Sequence, residues 1–411
     1  MAQRLLFVDD EAMILAGLRR ALHGMRGEWE MHFVDSAHAA LQAMEEKPYD
    51  AVITDMQMPQ MDGAELLEEV KQRHPDVIRV VLSGQASQAA VLRSIAPAHQ
   101  FLSKPCKPQE LMLRLGQAFA MRDLLSSQGL KTLVSRLRSI PSRPTLYEEL
   151  TAVLRREDPS LAQIERIIAK DVAMAAKILQ LANSAFIGSS GRVSNLLQGV
   201  SLIGTETVRT LVLSVHVFSQ FDNNSQVAAY LPALWDHSVA TAALAQQIAS
   251  SQGCAKALIE ESFTAGLLHD VGKVVLLAEL PREYRRVLET ASGDVVALEQ
   301  EQLGCTHAQV GAYLMSIWGL PVPLVQTVAF HHCPLKSGET QFSPLTAVHA
   351  ADAIAGANDS AIVNRDCALD FSYLESLKLQ ETVDLWRGFY SAQQAAKAAV
   401  ASDGGKGLAG R

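Results

Sequence analysis

Within the first 105 residues, polar side chains stand repeatedly just past the end of a short apolar run. Asp9 and Asp10 follow Leu5-Leu6-Phe7-Val8, Asp55 follows Ala51-Val52-Ile53-Thr54, Ser83 follows Val80-Val81-Leu82, and Lys104 follows Phe101-Leu102. Short apolar runs separated by amphipathic stretches read as buried parallel strands with helical crossovers. Sheets of that kind place their chemistry in the crevice at the carboxyl ends of the strands. The pattern therefore predicts a doubly wound α/β domain in which three carboxylates, a hydroxyl and an ammonium converge.

Carboxylates brought together repel one another unless a cation joins them, so Asp9, Asp10 and Asp55 make a hard oxygen site suited to Mg²⁺. A phosphoryl group on Asp55 would be held by that ion, by Lys104 and by the Ser83 hydroxyl, which are the parts phosphoryl transfer needs. The alternative is a solvated acidic sheet edge; five suitable groups after four successive strand-like runs favour a phosphorylatable aspartate.

On these residues the stretch from 1 to about 122 resembles the receiver domain of two-component response regulators. The match includes Asp55-Met56-Gln57-Met58-Pro59-Gln60-Met61-Asp62-Gly63 and Lys104-Pro105. The resemblance implies a flavodoxin-like fold and a sensor histidine kinase as phosphoryl donor. It further implies Mg²⁺ held by Asp10, Asp55 and the Gln57 backbone carbonyl, with Asp9 assisting through water. Ser83 and Phe101 become switch residues, Lys104 a phosphoryl contact, and Pro105 a cis proline. Phe101 stands where many members carry tyrosine, so an aromatic swing is kept and a hydroxyl contact is not.

A chain of 411 residues is too long for that domain alone. Its formal charge of −8 argues against a dedicated nucleic-acid-binding face. The first apolar run leads straight into Asp9-Asp10-Glu11, unlike a signal peptide, and no stretch offers the roughly 18 apolar residues of a membrane span. The expectation is a soluble cytoplasmic protein. Cys106, Cys254, Cys305, Cys333 and Cys367 form no Cys-x-x-Cys pair and read as reduced thiols.

After Pro105 the spacing turns helical. Pro108 opens a helix carrying Leu111, Leu115 and Phe119, and a linker is expected over 123–138, as a helical extension or a short hinge. Its Lys131 and Arg136, with nearby Arg138 and Arg143, read as a solvated basic face. From 139 to 340 an all-helical domain is expected, with segments at Leu161 to Ile168, Leu202 to Val217, Leu234 to Ile248, Ser262 to Leu277, Val296 to Leu303 and Gln309 to Trp318. Residues 341–400 read as a helical extension anchored by Trp386, Phe389 and Tyr390, and 401–411 as a disordered Gly-rich tail.

The helical half is also rich in histidine. His237 lies on one expected helix, His269 and Asp270 are adjacent near the end of another, and His349 and Asp352, three apart, share a helix face. Imidazole with carboxylate is a common ligand mix for Zn, Mn or Fe, although such groups also serve as hydrogen-bonded polar cores. Adjacent His269 and Asp270 would diverge by about 100° on a continuous helix, and meet only on an ion lodged between them.

Residues about 130 to 340 resemble the HDOD domain, an HD-related output domain. The resemblance rests on Asp171 to Asn183-Ser184-Ala185, Ile203-Gly204, Trp235-Asp236-His237-Ser238, Gly266 to Lys273, His307 to Gly311, Trp318-Gly319-Leu320-Pro321 and His331-His332. Comparison with the wider HD phosphohydrolases implies His237, His269, Asp270 and Asp352 as metal ligands. Cyclic-di-GMP phosphodiesterases of the HD-GYP type add positions corresponding to His307, His331 and His332. After the His pair those enzymes carry a glutamate and an Asp-Gly-x-Gly-Tyr-Pro run, whereas this chain reads Cys333-Pro334-Leu335-Lys336-Ser337-Gly338. Two functions follow. One is a phosphorylation-switched signalling module acting on a partner protein or its own dimer, which the missing loop favours. The other is a receiver-gated, metal-dependent phosphohydrolase in which Lys273 helps hold a phosphate.

Overall fold

The computed structural model describes residues 2–83, 97–104, 106–125, 127–137, 141–142, 144–156, 158–183, 193–205, 207–208, 219–220, 230–290, 294–357 and 368–406. The amino-terminal part is built on strands β1 (Gln3–Val8), β2 (Trp29–Val34), β3 (Ala51–Asp55), β4 (Ile78–Ser83) and β5 (Gln100–Ser103). They pair in parallel in the order β2-β1-β3-β4-β5. Consecutive residues Leu5, Leu6, Phe7 and Val8 are all buried, so both faces of the sheet are covered, as a parallel sheet requires. Helices α1 (Ala12–Ala21), α2 (Ala37–Glu46), α3 (Gly63–Arg73) and α4 (Pro108–Leu124) supply the connections and the cover. The strand order reverses between β1 and β3, which sets Asp9 and Asp55 side by side at the switch point.

The described part of the linker is helical and docked. Helix α5 (Gln128–Arg136) presents a fully buried Ser135, whose carbonyl accepts from Arg79 Nη2 and lies against His99 Nε2, both at 2.8 Å. Its hydroxyl bonds the Tyr313 hydroxyl at 2.9 Å. The expected basic face falls mostly on residues outside the described ones.

The rest is helical: α6 (Pro144–Leu154), α7 (Leu161–Ile168), α8 (Val172–Ala182), α9 (Leu196–Ile203), α10 (Leu231–Ser251), α11 (Lys256–Leu268), α12 (Val271–Glu279), α13 (Pro281–Thr290), α14 (Val295–Leu303), α15 (His307–Ile317), α16 (Val322–Phe330), α17 (Pro344–Gly356), α18 (Phe371–Ser376) and α19 (Val383–Lys406). A two-residue strand pair, Pro141–Ser142 with Ser219–Gln220, is the sole sheet among the described residues of this half.

Three sequence expectations are modified. The run from Ser262 to Leu277 breaks at His269-Asp270, where Asp270 leaves helical geometry with φ −97° and ψ 14°. That break brings two side chains together that a continuous helix would splay. Helix α17, read as the start of an extension, lies inside the core: every residue from Pro344 to Gly356 is buried, against α10 and α11. Its alanines leave room for neighbours all round. Helix α19 continues to Lys406, into the stretch expected to be disordered, carried by Ala392, Ala395, Ala396, Ala398, Ala399 and Ala401. Of the segment from Leu202 to Val217, only its first residues belong to α9, and most of it lies outside the described residues.

The two halves meet along α4 and β5 on one side and α8 and α15 on the other. Gln100 Nε2 donates to the Ser316 carbonyl at 3.0 Å, Gln180 Nε2 to the His99 carbonyl at 3.2 Å, and Arg114 Nη1 to the Gly319 carbonyl at 3.4 Å. Gly319 has φ +72°, and a Cβ there would lie 2.7 Å from Arg114 Nη1. The left-handed backbone there favours glycine, and a side chain would have to displace the Arg114 guanidinium.

Candidate phosphorylation and metal centres

At the switch point, Lys104 Nζ lies 2.6 Å from both Asp9 Oδ2 and Asp55 Oδ1. Ligand oxygens of Asp9, Asp10 and Asp55 stand within 4.8 Å of one another. Asp9 and Asp55 are buried while Asp10 is exposed, so the site opens to solvent on one side. The remaining oxygens are oriented by backbone: Asp9 Oδ1 accepts from the Glu11 amide at 3.0 Å and Asp55 Oδ2 from the Gln57 amide at 3.2 Å. Burial alone would lower the Lys104 pKa, but its bonds to Asp55 and Asp9 override this and raise it. A cluster of hard oxygen donors with one paired ammonium fits a small divalent cation. Ser83 closes β4 opposite Ser103; the Ser83 side chain and Pro105 lie outside the described residues. Phe101 is buried, in register with Val81.

The second centre gathers residues from five helices. Asp270 is the hub: its Oδ1 lies 3.2 Å from His307 Nε2 and 3.7 Å from His331 Nε2, and its Oδ2 lies 3.3 Å from His269 Nε2. Asp352 Oδ1 lies 2.9 Å from His237 Nε2 and 3.5 Å from His269 Nε2, while its Oδ2 lies 3.9 Å from His332 Nδ1. His332 Nε2 stands 2.9 Å from His307 Nε2. Two ligand-like groups result: Asp270 with His307, His331 and His332, and Asp352 with His237 and His269. All seven residues expected from the sequence converge.

His349 does not join them. Its Nδ1 is 2.7 Å from the His331 carbonyl and its Nε2 accepts from the Asp370 amide at 2.9 Å, so both ring nitrogens are spent beside the cluster. Lys273 is fully buried, with Nζ 2.8 Å from Asp270 Oδ2.

Hydrogen bonding outside the cluster fixes how its rings face. His269 Nδ1 is 2.7 Å from the Gly266 carbonyl and His331 Nδ1 2.9 Å from the Val328 carbonyl. A carbonyl only accepts, so Nδ1 carries the proton and Nε2 is turned inward. His307 Nδ1 is likewise 2.7 Å from Glu299 Oε2. Four inward atoms, His269 Nε2, Asp270 Oδ1, His331 Nε2 and Asp352 Oδ2, are buried and make no hydrogen bond among the described residues. Buried polar atoms are rarely left so. Donors held about 2.1 Å from a shared tetrahedral ion stand about 3.4 Å apart, which is the spacing found around Asp270. The residues fit a metal, and their nitrogen and carboxylate mix suits Zn, Mn or Fe.

The electrostatics agree. Burial opposes charge on His269, yet Asp270 and Asp352 lift its pKa to about 10; for His307, Glu299 overcomes burial and lifts it to about 9. Burial, reinforced by neighbouring imidazoles, pushes His332 well below the ordinary histidine value. Burial would raise both carboxylates, but His269 above all holds Asp270 and Asp352 well below the ordinary range. Both carboxylates are thereby kept ionised inside the buried cluster.

Sequence reasoning missed Glu299. It is fully buried, accepts from the His307 amide at 2.8 Å and from the Tyr284 hydroxyl at 2.6 Å, and orients the His307 ring. A carboxylate behind a ligating histidine is a recurrent way of fixing ring and tautomer. Its spacing eight residues before His307 carries no local signal.

Comparison with known proteins agrees with this architecture. A family model for the response regulator receiver domain matches residues 5–116, and one for the HDOD domain matches residues 140–334. An uncharacterized protein of Treponema pallidum is 28% identical over 220 residues, covering 52% of this chain and 41% of that protein. The hydrogenase transcriptional regulatory protein HoxA of Cupriavidus necator is 31% identical over 134 residues, covering 32% of this chain and 26% of that protein. The chain thus spans less than half the length of either curated relative. Among solved structures, the MmoQ response regulator of Methylococcus capsulatus is 26% identical and covers 58% of this chain and 98% of that one, with a TM-score of 0.44. Among the described residues no helix is long and apolar enough to cross a membrane.

Proposed function

We propose, for a chain that joins a response regulator receiver domain to an HDOD domain, that phosphorylation of Asp55 switches the helical half. That half then acts as a signalling or protein-interaction output on a partner or a second copy. A sensor histidine kinase is the donor: an Asp55 oxygen attacks phosphorus, the P–N bond of the donor's phosphohistidine breaks, and the new P–O bond leaves an acyl phosphate. Asp9, Asp10 and Asp55, with the Gln57 carbonyl, would hold Mg²⁺, which supplies neutralising charge to the phosphoryl group when bound. Lys104 exchanges a carboxylate contact for a phosphoryl oxygen, and Ser83 and Phe101 follow it.

The observation that carries a non-catalytic output is burial of the second cluster. The side chains of His237, His269, Asp270, His307, His331 and Asp352 are at most 1% exposed, and that of His332 is 8% exposed. Structural metal sites are closed, whereas catalytic ones keep a position open to substrate. The short turn Pro334–Ser337, where phosphodiesterases carry their substrate loop, supports the same reading. A receiver-gated phosphohydrolase is the second reading, favoured by the donor set itself. It asks Lys273 to leave Asp270 for a phosphate.

Metal analysis of the purified chain, followed by incubation with cyclic di-GMP, separates the two. Bound Zn, Mn or Fe that is lost in His269→Ala/Asp270→Ala, with no turnover in the metal-loaded wild type, is the expected result. Hydrolysis that disappears in the double variant would establish the enzyme instead.

A further inference from the structure

Helix α15 connects the two centres. Its first residue, His307, faces Asp270, and its far end is gripped by the receiver half. Gln100 donates to the Ser316 carbonyl and Arg114 to the Gly319 carbonyl, while the Tyr313 hydroxyl bonds Ser135, whose carbonyl is held by Arg79. Gln100 opens β5 and Lys104, on Asp9 and Asp55, follows the end of the same strand. Four residues of extended chain, about 13 Å, therefore separate the phosphorylation site from the grip on α15. Nine helical residues, about 13.5 Å, separate the Ser316 grip from His307.

Both ends of α15 are held, the far one by side chains and the first by backbone. At the receiver end a Cβ on Gly319 would run into Arg114 and Gln100; at the other, a Cβ on Gly272 would fall on the His307 carbonyl oxygen, so the backbone of α15 touches the turn that carries Asp270. Packed interiors transmit displacement because they are close-packed and deform little. A shift of β5 cannot be absorbed between Ser316 and His307 without moving His307 against Asp270.

We propose that phosphorylation at Asp55 and metal binding at the Asp270–His307 group are thermodynamically linked through β5 and α15. The linkage rests on the metal reading given above and adds a direction of control to it. Such coupling is reciprocal: a phosphoryl group that alters metal affinity by some factor is itself altered in affinity by the metal to the same factor. Gln100, Tyr313 and Ser135 are positioning residues on this route and touch neither ligand.

The test uses the full chain, with Zn²⁺ as probe, titrated in competition with a fluorescent chelator in Mg²⁺ buffer with and without beryllofluoride to occupy Asp55. The dissociation constant for Zn²⁺ is expected to change at least fivefold, within the range typical of allosteric coupling. In Gln100→Ala the change should shrink below twofold while Zn²⁺ and beryllofluoride still bind. Tyr313→Phe, which deletes one hydroxyl, provides the same readout with less risk to folding, and beryllofluoride affinity measured with and without Zn²⁺ should move by the wild-type factor. Equal Zn²⁺ affinity in both states overturns the linkage and leaves the metal site standing, as does a shift that survives intact in both variants for the route through α15. No Zn²⁺ binding in either state overturns the metal reading and the linkage with it.

Discussion

Lys177 offers a measurement that depends on the seam between the two halves. It lies on α8, 3% exposed, with its Nζ 5.3 Å from the centroid of the Trp318 ring. Burial, with Lys71 of α3 as charged neighbour, pushes its pKa from 10.5 down to about 7, and His99 on the receiver side is lowered by the same two lysines after burial and Arg79. A fall of that size corresponds to roughly 5 kcal/mol against the folded state wherever the unfolded chain carries the charge. Contacts of the ammonium, the Trp318 face among them, return about 2 kcal/mol of it, leaving a penalty of about 3 kcal/mol. The sign follows from proton counting: between the folded and unfolded values the unfolded chain binds more protons, so stability rises with pH. Lys177→Met, similar in length and uncharged, should be more stable than the wild type by about 3 kcal/mol at pH 7, by about 2 at pH 9 and by less than about 1 at pH 10.5. Urea unfolding followed by tryptophan fluorescence at the three pH values measures the gap. A gap that does not narrow with pH, or a variant less stable than the wild type at pH 7, refutes the argument, because the ammonium would then be making contacts worth more than its desolvation.

Three further outcomes follow from the two centres. Asp55→Asn keeps the shape of the site but removes the nucleophile, so acetyl phosphate with Mg²⁺ should modify the wild type and leave the variant unmodified by mass spectrometry. Lys104→Ala should retain part of the phosphoacceptance and lose the effect of beryllofluoride on Zn²⁺ affinity, since it removes a side chain that joins the end of β5 to Asp55. Glu299→Gln leaves the ligands in place but weakens the acceptor behind His307, and should reduce Zn²⁺ affinity about 10- to 100-fold in the chelator competition while the far-ultraviolet circular dichroism stays unchanged.

How much was legible in the sequence divides along the range of the interactions. The receiver half was readable because its chemistry sits at strand ends: once Leu5–Val8 and Ala51–Thr54 are buried strands, the residues that follow them share a crevice. The His269-Asp270 pair was readable as a ligand pair, but the helix break that makes it one was hidden in a stretch from Phe263 to Leu277 whose apolar residues keep helical spacing on both sides of the pair. Glu299 and His349 show the same limit from opposite sides. Glu299 looks like any acid in a helix and is central because Tyr284 and His307 come to it from other elements; His349 had the right spacing to Asp352 and is turned away by the His331 carbonyl and the Asp370 amide. Helical periodicity says which face a residue occupies, not which neighbours claim its polar atoms.

The seam also limits how the output can work. The receiver surface formed by the start of β5 and by α4 is spent on α8 and α15, through Gln100 and Arg114 and around a linker whose Ser135 is fully buried. A partner protein or a second copy that needed that surface would first have to replace those bonds and re-cover the face they hold. Buried hydrogen bonds are costly to strand, at about 1 to 3 kcal/mol for each group left unsatisfied. Phosphorylation therefore has two routes to an effect: release of the seam, which exposes both faces together, or strain passed along α15 with the seam intact. The backbone contact at Gly272 and the hydrogen bonds to the Ser316 and Gly319 carbonyls favour the second, because they tie α15 to both of its neighbours. On that route, Gln100→Ala would silence the output without exposing the receiver face to protease, whereas on the first it would expose that face even in the unphosphorylated chain.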